Sequence, residues 1–143
     1  MTEPESPRIS PFIDLVGATV EESREGYARM SLTLEQKHTN PNSVMHGGVV
    51  TTLLDETLAI AVAATRGEDT VREQPHTAIE MNTSFLSAAR EGDELVVEGH
   101  LLKTGRTVFF GEAEARRKSD DALVAKGRVT FVVPRGSAER PAK

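Results

Sequence analysis

The feature that most constrains the fold is a long apolar stretch that follows a His-Gly-Gly sequence. Residues 46–66 contain no proline, and their only glycines are Gly47 and Gly48 at the start; Gly67 follows directly. Apolar residues lie on nearly every side of such a helix, so we expect it to be buried and to end at Gly67. At about 1.5 Å per residue it is roughly 30 Å long, which is the width of a small domain.

Two acidic residues, Asp55 and Glu56, lie in the middle of this apolar stretch. A carboxylate inside a buried helix needs a partner, a water-filled cleft or a chemical role, because uncompensated burial of charge is costly. Neighbouring helix residues point about 100° apart, so the two side chains face different surroundings. We therefore expect only one of them to have a function, and Glu56 to be the one that is a salt-bridge partner.

The rest of the chain has the two-residue periodicity of β-strands. Residues 27–34 alternate between apolar and polar, and four more β-rich segments follow the helix. Short turn-like sequences separate these four, which predicts an antiparallel meander. The four segments are 76–86, 94–103, 107–115 and 123–133. A sheet that curls around one long helix buries the surface of that helix, so we expect an α+β fold.

Composition narrows the class of protein. The 143 residues suit one domain, which we place at residues 11–133, between flexible tails at 1–10 and 134–143 that are rich in proline and charge. The absence of cysteine excludes disulfides and thiol chemistry. A net charge of -5 with 4% aromatic residues argues against nucleic acid as a partner. With no signal peptide or membrane span recognised, we expect a cytoplasmic protein without a membrane partner.

No metal site and no cofactor are expected. His38, His76 and His100 lack the mutual spacing of metal ligands, so we predict that they are surface or hydrogen-bonded residues. The sequence contains no phosphate loop, dinucleotide fingerprint or Gly-x-Ser-x-Gly motif.

A spaced set of residues around the helix start resembles a known family. Asn40 precedes the sequence His46-Gly47-Gly48 by six residues, and Asp55 follows the histidine by nine. With the β-rich segments after it, this pattern is similar to the hotdog-fold acyl-CoA thioesterases, in the branch of the phenylacetate-pathway and 4-hydroxybenzoyl-CoA enzymes. The resemblance covers about residues 12–133. It implies a hotdog fold, in which a curved antiparallel sheet wraps a long central helix.

The resemblance also implies an activity and roles for the residues that match. The expected reaction is hydrolysis of a medium-chain or aromatic acyl-CoA. The Gly47 amide would stabilise the oxyanion at the helix N-terminus, and Asp55 would act as nucleophile or general base. Asn40 would hold the water or the thioester, and His46 would orient the loop. Further substrate contacts are expected from Gly48, Met81 and Asn82 and, for the coenzyme A nucleotide, from Lys103, Thr104, Gly105 and Arg106.

The spacing of Gly47 and Asp55 predicts a site shared between two chains. Eight residues along one helix separate them by about 12 Å, yet oxyanion donor and acid must both lie roughly 3 Å from one carbonyl group. A second copy related by a two-fold axis supplies the missing partner to each site. We therefore predict a homodimer, and the family resemblance extends this to a dimer of dimers.

Two positions depart from the family pattern, and they keep alternatives open. Ser43 stands where relatives commonly have glycine, and Ala78 stands where several have a serine or threonine beside the nucleophilic water. The missing hydroxyl group would come from Thr77 or elsewhere, or be absent. The first alternative function is a catalytically weak acyl-CoA-binding module or sensor. The other alternative is a hotdog hydratase that acts on enoyl-CoA. It would need a histidine a few residues after Asp55, but the next histidine is His76, so the sequence disfavours it.

Overall fold

The computed structural model describes residues 9–135. In chain order its elements are helix α1 (Pro11–Val16), strands β1 (Thr19–Arg24) and β2 (Tyr27–Thr33), a 3₁₀ turn (Gln36–His38), helices α2 (Gly47–Arg66) and α3 (Glu68–Glu73), and strands β3 (Thr77–Phe85), β4 (Glu94–Thr104), β5 (Val108–Arg117) and β6 (Leu123–Val132). The long helix and the five predicted strands are confirmed. Most of the two predicted tails, residues 1–8 and 136–143, lies outside the described residues.

The strands form one six-stranded antiparallel sheet in the order β1-β2-β4-β5-β6-β3. Helix α2 contacts all six strands, which confirms the predicted α+β arrangement. By its length and composition alone, α2 would also qualify as a helix able to cross a membrane. The buried core helix of a folded domain meets the same criterion. In this fold it is the core helix, with residues such as Leu53, Leu54 and Leu58 fully buried.

The predicted four-strand meander is wrong, because of its four strands only β4, β5 and β6 follow one another in the sheet. Strand β3 pairs with β6 instead of β4 and forms an edge of the sheet. The connection after β3 explains this difference. At its start the Leu86 amide donates to the Val124 carbonyl in β6, and at its end the Asp93 carbonyl accepts from the Leu34 amide just after β2. Residues 86–93 therefore cross the end of the sheet and do not form a hairpin.

A row of small residues lets α2 pack closely against the sheet. Cross-strand pairing places Ala28, Gly99, Ala113, Gly127 and Thr83 in one line across five strands. A Cβ atom on Gly127 would lie 2.8 Å from the Asn82 carbonyl oxygen and 3.1 Å from Leu54 Cδ1, and one on Gly99 would lie 2.9 Å from Leu58 Cδ2. Larger residues along this line would push the helix away from the sheet.

Three short elements were absent from the sequence prediction. Helix α1 begins with Ser10 as its N-cap and Pro11 in its first turn, a recognisable start signal in a segment that we assigned partly to a tail. Strand β1 is an edge strand whose residues are mostly exposed, so its sequence lacks a clear apolar alternation. Helix α3 has only six residues and none of them is buried, so it has no apolar face to predict.

Candidate active site

The loop before α2 is held by its own hydrogen bonds. The Asn40 side-chain oxygen accepts from the amides of Asn42 (2.9 Å) and Val44 (3.3 Å). Between them Ser43 has a φ of 62°, a left-handed conformation that explains why glycine suits this position. The Asn40 oxygen therefore shapes the loop, and only its amide nitrogen remains as a group that could bind substrate or water.

Hydrogen bonds of His38 fix this loop to the rest of the domain. It is buried, its Nδ1 accepts from the Glu35 amide at 2.9 Å, and its Nε2 lies 2.7 Å from the Val16 carbonyl oxygen. Because Nδ1 is the acceptor, Nε2 carries the proton and donates to the carbonyl. The main-chain carbonyl of His38 in turn accepts from the His46 amide. His38 is thus a hydrogen-bonded structural residue, as predicted.

His46 is the N-cap of α2. Its Nδ1 accepts from the Gly48 amide at 2.8 Å and so caps the first turn of the helix. Gly47 is the first residue of the helix, so its amide has no partner within the helix and lies at the positive end of the helix dipole. The Phe85 ring covers Gly47 closely: a Cβ atom here would lie 3.1 Å from Phe85 Cε1. A side chain at position 47 would have to displace the ring.

An apolar cavity of about 370 Å³ opens beside Gly47. The helix side contributes Val44, Met45, Gly47 and Val50, and the facing side consists of residues 85–89 with Val124. A helix N-terminal amide that faces an apolar cavity is suited to bind a carbonyl oxygen as negative charge develops on it.

Asp55 lies half-buried on α2, and this burial raises the pKa of its carboxyl group. Among the described residues it has no hydrogen bond or ion pair. Burial and the neighbouring Asp55 charge also raise the pKa of Glu56, while a hydrogen bond from the Ser10 backbone opposes that rise. The salt bridge predicted for Glu56 does not occur among residues 9–135. Its only partner in this range, Ser10, was not foreseen from the sequence.

Strand β3 passes beside α2 and carries the position of the missing hydroxyl. Thr77 and Ala78 are both exposed; Ala78 pairs with the buried Phe131, and its strand neighbour Thr77 points to the other face of the sheet. Thr77 therefore does not replace the hydroxyl. Thr83 does face the helix, and its hydroxyl oxygen is buried without a partner among the described residues. However, it lies five residues from Ala78, about 16 Å along a strand.

The remaining predicted contacts are not all brought together in one chain. Met81 packs against the core, whereas Asn82 points to the outer face with Arg128. The β4–β5 hairpin, which contains Lys103, Thr104, Gly105 and Arg106, lies beside the C-terminal half of α2, because Leu101 bonds to Gly26 and Gly26 bonds to Thr65. Gly105 has a local reason to be glycine, since a Cβ would lie 2.6 Å from the Val108 oxygen. Within one chain, this hairpin and Gly47 therefore lie near opposite ends of helix α2.

Comparison with known proteins identifies the class. Residues 42–131 match the family model of the thioesterase superfamily. Acyl-coenzyme A thioesterase 13 of Homo sapiens is 30% identical over 112 residues, which cover 78% of this chain and 76% of the human protein. The chain belongs to the thioesterase superfamily and is a thioester hydrolase.

Solved structures agree with this assignment. Zebra fish thioesterase superfamily member 2 is 28% identical, with a TM-score of 0.77 over 87% of this chain and 88% of the other. The E. coli PaaI protein from the phenylacetic acid degradation operon has a TM-score of 0.78 over 87% and 85%, and at 19% identity it supports the fold alone. The predicted hotdog fold and family are confirmed.

Proposed function

We propose that the protein hydrolyses acyl-CoA thioesters at composite sites formed by two copies of the chain. In each site Gly47 of one protomer donates its amide to the carbonyl oxygen, and Asp55 of the partner acts as nucleophile or general base. One observation carries this proposal: a half-buried carboxylate without a side-chain partner among residues 9–135 lies on the same unbroken helix as the amide, about 12 Å away. The acyl-CoA thioesterase relative supports the substrate class.

The uncovered surface of the chain suits this pairing. Strand β3 is an edge strand, and the large apolar side chains of Ile79, Phe85 and Leu86 on or beside it are more than half exposed. An edge strand with exposed apolar residues is a surface that natural proteins cover, and a two-fold axis here would cover both copies at once. The same axis would bring the Asp55 of one protomer toward the Gly47 of the other.

The proposed chemistry follows from the two groups. As Asp55, or a water activated by it, attacks the thioester carbon, negative charge moves to the carbonyl oxygen and the Gly47 amide stabilises it. The C–S bond then breaks and the thiolate of coenzyme A leaves. On the nucleophile route water hydrolyses the resulting acyl-Asp55 anhydride to the free acid, and on the general-base route the attacking water forms the acid directly and its proton passes through Asp55 to the departing thiolate or to solvent. Both routes require Asp55 to be ionised. Asn40, through its amide nitrogen, and Gly48 adjoin this centre, while Lys103–Arg106 would reach the nucleotide only from another subunit.

Release of free thiol from a panel of acyl-CoA thioesters tests the proposal. We expect the wild-type protein to hydrolyse acetyl-, octanoyl- and benzoyl-CoA at different rates. The Asp55→Asn variant should retain only a small fraction of this activity. Ala78, which stands where several relatives have a serine or threonine, favours the alternative of an acyl-CoA-binding module. Binding of all three thioesters by calorimetry without turnover of any would establish that alternative.

A further inference from the structure

The wall of the cavity opposite the Gly47 amide lies mostly outside the regular secondary structure. It consists of Phe85, the last residue of β3, and of residues 86–89, which follow that strand. A segment without the repeated hydrogen bonds of a helix or sheet keeps its position through individual contacts. The spacing between this wall and Gly47 therefore depends on the particular bonds that hold residues 86–89.

Main-chain hydrogen bonds hold the two ends of this segment. At its start the Leu86 amide donates to the Val124 carbonyl at 2.8 Å, and at its end the Ala89 carbonyl accepts from the Met45 amide at 2.7 Å. Met45 and Ala89 are both buried, and Met45 precedes Gly47 by two residues. The wall and the loop that presents the Gly47 amide are therefore joined directly.

An arginine side chain holds the middle of the segment. Arg117, the last residue of β5, donates from its Nη1 to the Ala88 carbonyl oxygen at 2.5 Å. Because Ala88 directly precedes Ala89, Arg117 and Met45 hold two successive residues of the wall. The Arg117 side chain thus fixes the wall, and with it the loop before α2, to the end of the sheet.

Asp120 sets the direction of the Arg117 guanidinium group. Its carboxylate oxygens accept from Nε at 2.9 Å and from Nη2 at 2.7 Å, a bidentate arrangement that leaves Nη1 for Ala88. The same carboxylate accepts from the Ala122 amide at 3.2 Å, so the turn after β5 orients it. The hydrogen bond from Arg117 lowers the pKa of the Asp120 carboxyl group, so the pair is ionised at neutral pH.

We propose that Arg117 is a positioning residue for the reaction: through Ala88 and Ala89 it holds the cavity wall and the Gly47 amide at the spacing that the thioester requires. This inference rests on the proposed function. An oxyanion donor is effective at about 2.7–3.1 Å from the developing charge, so a small displacement removes much of its contribution. A misplacement of about 1 Å can lower a rate about 100-fold, even when the substituted residue is distant from the chemistry.

The same contacts contribute little to the stability of the whole domain. The Asp120 side chain is 51% exposed, and ion pairs between exposed groups stabilise proteins only slightly. Ala88 is exposed as well, so its carbonyl can bond to water when the guanidinium group is absent. Removal of the Arg117 side chain should therefore impair the reaction without unfolding the protein, which distinguishes a positioning residue from a merely structural one.

Steady-state thiol release with the best substrate of the acyl-CoA panel tests this role. Arg117→Ala should lower kcat at least about 10-fold and change KM less than about threefold, because the displaced amide acts on the charge of the transition state. Arg117→Lys keeps a donor but loses the fork, so its kcat should lie between those of Arg117→Ala and wild type. Arg116→Ala is the matched control: its side chain pairs with Glu114 and Asp121, and kcat should stay within about twofold of wild type.

A second measurement does not depend on turnover. In Arg117→Ala the Met45 amide, which donates to the wall, should exchange with solvent at least about 10-fold faster, while the urea midpoint stays that of wild type. In an active enzyme, an unchanged kcat in Arg117→Ala, or a loss of activity that a lower midpoint explains, would overturn the inference. If wild type hydrolyses no acyl-CoA, the proposed function is wrong, and exchange at Met45 alone decides on Arg117: faster exchange supports its hold on the loop, and an unchanged rate overturns it.

Discussion

The two sides of helix α2 differ in what covers them. The side that faces the sheet is fully buried and meets a row of small residues from five strands of the same chain. The opposite side carries Gly48, Thr52, Asp55, Ala59 and Ala63, all exposed or half-buried. One side is complete within a single chain and accounts for the stability of the fold. The other is open in a single chain, and the proposed chemistry depends on what covers it.

The largest expected effect comes from removing the charge on the open side. Asp55→Asn keeps the volume of the side chain, so kcat should fall at least about 100-fold while KM changes far less. Steady-state thiol release measures both constants. The neighbouring Glu56→Gln is the matched control, and it should retain turnover of acetyl-CoA. If instead Glu56→Gln is inactive and Asp55→Asn is active, then Glu56 is the functional acid.

The next prediction tests whether a second chain completes the open side. Asp55→Asn and Gly47→Val should each be inactive, the latter because any Cβ meets the Phe85 ring. After subunit exchange, about half of the dimers are mixed and each has one intact site, so activity should recover to about a quarter of wild type. Mass spectrometry of differently tagged chains confirms exchange. A mixture that exchanges but stays inactive shows that each chain builds its own site.

The covered side should respond through stability alone. Gly127→Ala places a methyl group 2.8 Å from the Asn82 carbonyl oxygen, so it should lower the free energy of unfolding by about 1–3 kcal/mol. Arg128→Lys, on the outer face of the same strand, is the control and should change it by no more than about 0.5 kcal/mol. Urea unfolding monitored by circular dichroism measures both. An unchanged midpoint for Gly127→Ala would mean that Gly127 is not packed this closely against Asn82 of β3 and Leu54 of α2.

The two sides of helix α2 could be predicted from the sequence to different extents. The covered side follows from local rules: an apolar stretch of helix length, two-residue alternation in strands, and Gly67, whose φ of 88° ends the helix. Strand order did not follow, because pairing β3 with β6 depends on the path of residues 86–93 and not on any strand pattern. Asp55 was found because a carboxylate in an apolar helix conflicts with its surroundings. The Ser10 contact to Glu56 and the ring of Phe85 over Gly47 depend on tertiary packing that no spacing shows.

Burial of the ionised Asp55 carboxylate should also lower the stability of the folded protein at neutral pH. Its pKa is raised in the folded protein, so below the unfolded value of about 3.9 both states are protonated and no stability is lost. As pH rises from there through the folded pKa, the native carboxylate ionises in a poorly solvated place and stability falls. Asp55→Asn should therefore have a higher Tm than wild type at pH 7, by about 2–4 °C for each kcal/mol, and the difference should vanish toward pH 3.5. Scanning calorimetry at one protein concentration checks this, and a lower Tm at pH 7 would contradict it.

The smallest expected effect concerns the loop that presents Gly47 to the open side. Ser43 has a left-handed backbone, which costs a residue with a Cβ atom about 1–2 kcal/mol, and glycine removes that cost. Glycine also raises the conformational entropy of the unfolded chain, which lowers stability by about 0.4–1 kcal/mol. The net effect of Ser43→Gly should therefore be a stabilisation of less than about 1 kcal/mol. Asn42→Gly is the matched control in the same loop, where φ is not positive, and it should destabilise. Urea midpoints of the two variants decide the point: if both shift in the same direction, the strain at Ser43 does not limit stability, and the loop is held by the Asn40 and His38 hydrogen bonds alone.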